Sequence, residues 1–80
     1  MRFYFHISNG FITAEDHEGV ELPTCLAALD EGGKIAQELL SDPDTMSFHG
    51  GVVNIVGSGG WLFISLPISH PGETAAAALN

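Results

Sequence analysis

The chain has 80 residues (8.4 kDa), of which 45% are hydrophobic, with ten acidic residues against two basic ones and a formal net charge of -8. That length holds one domain and excludes both a second independent core and a scaffold as large as a (β/α)₈ barrel. The apolar share includes five Phe, one Tyr and one Trp, enough to drive collapse, so disorder is excluded despite the charge.

From the N-terminus, residues 3–8 alternate with the period of a strand, Phe3, Phe5 and Ile7 on one face and Tyr4, His6 and Ser8 on the other. Asn9-Gly10 tolerates positive φ and predicts a tight hairpin, with residues 11–15 as the returning strand. Residues 16–19 make a second turn, and Val20-Glu21-Leu22 is a short extended segment stopped by Pro23. Thr24 is placed to cap a helix, its hydroxyl accepting from a free N–H of the first turn. Cys25, Ala28, Leu29, Ile35, Ala36, Leu39 and Leu40 then follow at helical spacing, opposite Asp30, Glu31, Lys34, Gln37 and Glu38. Lys34 is four residues from both Asp30 and Glu38, so both can pair with it.

Gly32-Gly33 interrupts this pattern at about 0.8–1 kcal/mol per glycine relative to alanine. Either Gly32, on the apolar stripe, lets the helix approach a sheet closely, or the helix breaks there into two pieces. Asp42-Pro43-Asp44 ends the segment, and residues 45–50 read as a loop. Residues 52–56 form a β-branched strand, residues 57–60 (Gly-Ser-Gly-Gly) a turn, and residues 61–66 the strand that returns to Pro67.

The resulting class is α+β in the order β-β-α-β-β, one helix packed on a four-stranded, mainly antiparallel sheet. Residues 1–70 make up the single domain, and residues 71–80 a C-terminal tail, either flexible or a short helix.

Arg2 and Lys34 are the only fixed positive charges and lie far apart, so no phosphate-neutralising cluster exists and neither nucleic acid nor an anionic membrane is an expected partner. A basic protein is electrostatically easier, although the charge also serves solubility. Cys25 is alone, which removes an internal disulfide and any CxxC metal or redox motif. The first residues lack the apolar run of a signal peptide, and no stretch reaches the ~20 apolar residues of a membrane span. A cytoplasmic protein is the expectation.

The titratable residues match no catalytic or metal-binding motif. Glu15, Asp16, His17 and Glu18 match no metal-ligand spacing and read as a solvated acidic turn. The glycine-rich residues 57–60 open onto Trp61-Leu62-Phe63, not onto a helix N-terminus, so they form a turn and not a phosphate cradle. Cys25 falls on the apolar stripe and reads as an inert core thiol. No catalytic residue, cofactor or metal is expected.

One helix covers one sheet face. The rows Phe3/Phe5/Ile7, Val53/Ile55 and Leu62/Ile64/Leu66 suit the face beneath it, which turns Tyr4, His6, Ser8, Val52, Asn54, Val56, Trp61, Phe63 and Ser65 to the other side. Rings mixed with hydrogen-bonding groups are a composition favoured at interfaces. Tyr4, His6, Asn54, Trp61 and Phe63 are therefore the candidate interface, unless the tail or a loop folds over them. Self-association is the simplest use of such a face.

On Phe3-Tyr4-Phe5-His6, Asn9-Gly10, the segment Glu18-Gly19-Val20-Glu21-Leu22-Pro23 and the Ala-rich start of the helix at Leu26-Ala27-Ala28, the chain resembles a family of small bacterial proteins known only as a domain of unknown function. The likeness covers most of residues 2–66. The chain departs from it at His6 and Asn9, where the family prefers an acid, at Thr24, where it prefers Asp, and at Gly32-Gly33. The resemblance implies the element order and brings no catalytic residues. A weaker likeness is to HicB-like antitoxin domains, which neutralise a basic toxin; the acidity fits, but the DNA-binding segment those proteins add is not visible. The functional expectation is a non-enzymatic interaction or regulatory module acting as a homodimer, with an antitoxin-like regulator of a basic protein as the alternative.

Overall fold

Period-two alternation and β-branched residues build the strands, and a capped amphipathic stretch builds the helix that covers them. The computed structural model describes residues 1–69. It contains β1 (Arg2–Ser8), β2 (Thr13–Ala14), β3 (Val20–Glu21), helix α1 (Cys25–Ser41), a 3-10 helix (Pro43–Phe48), β4 (Val52–Gly57) and β5 (Leu62–Pro67). The expected tail, residues 71–80, lies outside the described residues.

All pairings are antiparallel, in the order β2-β1-β4-β5 with β3 also on β1. The sheet thus has five strands and not the expected four. Ile7 and Ser8 pair with Ala14 and Thr13, while Arg2 and Phe3 pair with Glu21 and Val20. Because β4 occupies the other side of β1 from Phe3 to Ser8, β2 and β3 are two pieces of one returning strand on a single edge. Residues 15–19 loop out between them, opposite Tyr4, Phe5 and His6. The hairpin is also wider than Asn9-Gly10 suggests, since Asn9 Oδ1 accepts from both Phe11 and Ile12 N–H at 2.8 Å and closes a side-chain turn that leaves β2 only two residues.

Thr24 caps α1 as expected, Oγ1 accepting from Ala27 N–H at 3.0 Å. Of the two expected partners of Lys34, Asp30 pairs at 3.6 Å, and an exposed pair of this kind adds little. Asp42 then ends α1 and starts the 3-10 helix where a loop was expected, Oδ1 accepting from Asp44 N–H at 2.9 Å ahead of a turn entered through Pro43.

The core lies between α1 and one sheet face: Phe3, Phe5, Val53, Ile55 and Ile68 from the sheet side, Ala28 and Ala36 from the helix. The helix runs unbroken through both glycines, and they differ. A Cβ on Gly32 would stand 2.7 Å from Ile55 Cδ1 and 2.9 Å from Leu66 Cδ1, so the helix rests on the sheet at this residue. A Cβ on Gly33 would meet nothing within 4 Å. Gly33→Ala is therefore expected to raise stability by about 1 kcal/mol through helix propensity alone. Gly32→Ala gains the same term but crowds the fully buried Ile55, and a net loss of about 1 kcal/mol is expected. Chemical denaturation of both variants checks the pair, and equal shifts of one sign would refute the close contact.

Candidate functional site

The face of the sheet turned away from α1 has no helix over it among the described residues. Strand register arranges it in three rows across β1, β4 and β5: Tyr4–Val56–Leu62, His6–Asn54–Ser65 and Ser8–Val52–Pro67. The residues on β1 and β4 are half-buried by one another, and those on β5 are exposed. The middle row is polar and the first row apolar. Of the residues in these three strands Arg2 alone is charged, and Glu21 on the neighbouring β3, paired with Arg2 at 3.4 Å, is the carboxylate at the margin of this face.

Of the five candidate residues, the structure brings Tyr4, His6 and Asn54 together and separates them from Trp61 and Phe63. Ile55 pairs with Ile64 but Val56 pairs with Leu62, so β5 carries an extra residue, Phe63, at a bulge. One inserted residue reverses the alternation beyond it. Leu62, expected beneath the helix, turns to the open face and is 60% exposed. Trp61 and Phe63 turn instead to the core side, where both rings approach Phe3, at 6.3 and 6.4 Å between centroids. They also meet each other edge-on at 6.2 Å. The indole lies where a side chain of Gly57 would be, and Trp61 remains 45% exposed as the cover of that end of the core.

The open face is wired to the looped-out residues 15–19 through Asp16, which the sequence presents as one more solvated acid. Asp16 Oδ2 accepts from Phe5 N–H at 3.2 Å, in the gap where β1 has no strand partner. Oδ1 accepts from the N–H groups of Glu18 and Gly19 at 3.1 and 3.0 Å. Burial acts to raise the Asp16 pKa, but the three backbone N–H donors from Gly19, Phe5 and Glu18, with the nearby His6, outweigh it and hold the carboxyl below its ordinary value. The readable signal was Asp16 three residues before Gly19, a side-chain turn closed by a residue at φ 72°.

Asp16 N–H in turn donates to His6 Nδ1 at 3.0 Å. Accepting at Nδ1 places the ring proton of neutral His6 on Nε2. The Tyr4 ring stacks on it at 6.4 Å with 10° between planes. Next along the row, Ser65 Oγ donates to Asn54 Oδ1 at 2.5 Å. Asn54 Nδ2 and His6 Nε2 have no hydrogen-bond partner among the described residues, which leaves two donors on this face.

Among the described residues, no group of three or more His, Cys, Asp or Glu side chains could hold a metal ion, and no helix is long and apolar enough to cross a membrane. Comparison with curated proteins and with solved structures gives no match. A family model described as a domain of unknown function (DUF6894) matches residues 2–69, and the chain belongs to that family.

Proposed function

We propose that the protein is a non-enzymatic interaction module that self-associates through its open sheet face. The observation that carries this reading is the charge distribution: a chain of net charge -8 keeps β1, β4 and β5 free of carboxylates, and such a surface is the one it can place against a copy of itself. Face stacking is favoured over edge pairing. Ile68 directs both its N–H and its carbonyl toward the β4 side, bonding Gly51 and Gly50, so by alternation Pro67 lies on the outward side of β5 with no N–H to offer.

Three strands of about six residues cover roughly 14 × 20 Å, about 280 Å² per chain against the ~800 Å² per partner of a standard interface, which makes a weak, transient homodimer the expected strength. Light scattering should give a mass that climbs from the 8.4 kDa of one chain toward twice that value as concentration rises to about 1 mM. Leu62→Asp should return it to one chain mass with an unchanged circular dichroism spectrum. Leu26→Asp, on a helix residue 76% exposed, should not alter it. A wild-type mass of one chain at that concentration would overturn the reading. Added salt should strengthen the dimer, because it screens the repulsion between two chains of charge -8.

A second reading, a basic protein partner, is supported by the acids among the described residues, which gather on α1, about the 3-10 helix and along the β2–β3 edge, with Glu21 alone beside the open face, where it pairs with Arg2. Salt would weaken that complex, the opposite of its effect on the homodimer.

A further inference from the structure

We infer that His6, Asn54 and Ser65 set the register of a face-to-face dimer whose two-fold axis runs parallel to β4; this rests on the self-association reading above. The three residues form one row, perpendicular to the strands, with Asn54 in the middle. A two-fold axis along β4 lays β4 over its copy and β1 over β5 of the partner. His6 then faces the partner's Ser65, and Asn54 faces the partner's Asn54.

The hydrogen-bonding groups in that arrangement match. His6 Nε2–H is a donor without a partner among the described residues, and Ser65 Oγ, which donates its proton to Asn54 Oδ1, retains lone pairs to accept. Each Asn54 Nδ2 can donate to the Oδ1 of the other copy, whose second lone pair is not used by Ser65. Size matches too, since a long ring over a short hydroxyl and two amides of equal reach fill the same ~10 Å gap between packed sheets. The flanking rows place Tyr4 over the partner's Leu62 and Ser8 over the partner's Pro67. The other in-plane axis, across the strands, stacks ring on ring and hydroxyl on hydroxyl and sets two Nε2–H donors against each other. A polar row within an apolar interface penalises every slipped register, because slipping strands its donors against aliphatic side chains.

The test is isotope-filtered NMR on a mixed labelled and unlabelled sample. Intermolecular contacts are expected between the Tyr4 ring and Leu62 methyls and between the His6 ring and Ser65 Hβ. Asn54→Val should remove the single register, so that one set of amide resonances becomes several and the mass rises beyond two chains with concentration. Asn54→Ser, less disruptive to the sheet, should weaken the dimer about tenfold while leaving the monomer spectrum intact. Tyr4–Tyr4 contacts between copies, or an Asn54→Val protein that remains a single dimer with one resonance set, would overturn the register while leaving the dimer standing. A monomeric wild type would overturn both.

Discussion

Gly57→Ala is expected to destabilise the protein by about 3 kcal/mol and to move the Trp61 indole out into water. Gly57 is the last residue of β4 and pairs with Phe3, so an added methyl would point to the core side of the sheet. That space is occupied: a Cβ on Gly57 would collide with the Cε2 and Cζ2 atoms of the Trp61 ring. The indole cannot yield inward, because it is packed edge-on to both Phe3 and Phe63. It must therefore leave, and the edge of the fully buried Phe3 would be uncovered. Trp61 is the sole tryptophan, so its emission should shift to the red under native conditions. In a Trp61→Ala background the same glycine substitution should cost less than about 1 kcal/mol, since the clashing ring is gone. Equal costs in the two backgrounds would refute the account.

Asp16→Ala is expected to cost about 2 kcal/mol at neutral pH. The carboxylate stands in for the missing strand between β2 and β3. Without it Phe5, only 5% exposed, keeps an unpaired N–H, and the turn through Glu18 and Gly19 loses its acceptor. Asp16→Asn should cost about half as much, because an amide retains one acceptor oxygen where the carboxylate uses two. The sign of the pH dependence follows from the lowered folded-state pKa. The ionised group's contribution is complete above the unfolded carboxyl value of about 3.9, and it is lost as pH falls through the lower folded value. Denaturant midpoints of wild type and Asp16→Ala should differ by a constant amount from pH 5 to 8 and converge below about pH 4. A gap of the same size at pH 3 would show that the carboxylate charge plays no part.

The elements whose cause is local were legible from their own residues. Phe3, Phe5 and Ile7 alternate over β1, and Thr24 followed by apolar residues at helical spacing marks the start and the buried stripe of α1. The candidate face was legible only in part. Tyr4, His6 and Asn54 lie where simple alternation puts them, whereas Trp61, Leu62 and Phe63 do not. A glycine closing an otherwise β-branched strand, Gly57 after Val52–Val56, was the available hint that something large lies against the backbone there.

By itself the amino-acid sequence determined β1, α1, β4 and β5, the cap at Thr24, and the absence of carboxylates from β1, β4 and β5, because these depend on side-chain period and on neighbours within a turn. Only the tertiary structure decided that β2 and β3 share one edge, that Asp16 fills the gap between them, and that the bulge at Phe63 turns Trp61 inward and Leu62 outward. A bulge shifts the pairing by one residue, and what stabilises it is the space that Gly57 leaves on the adjacent strand beside Phe3. Gly57 and Trp61 face each other across one short turn, but the indole also packs on Phe3, far away in sequence, and no period within β5 records that contact.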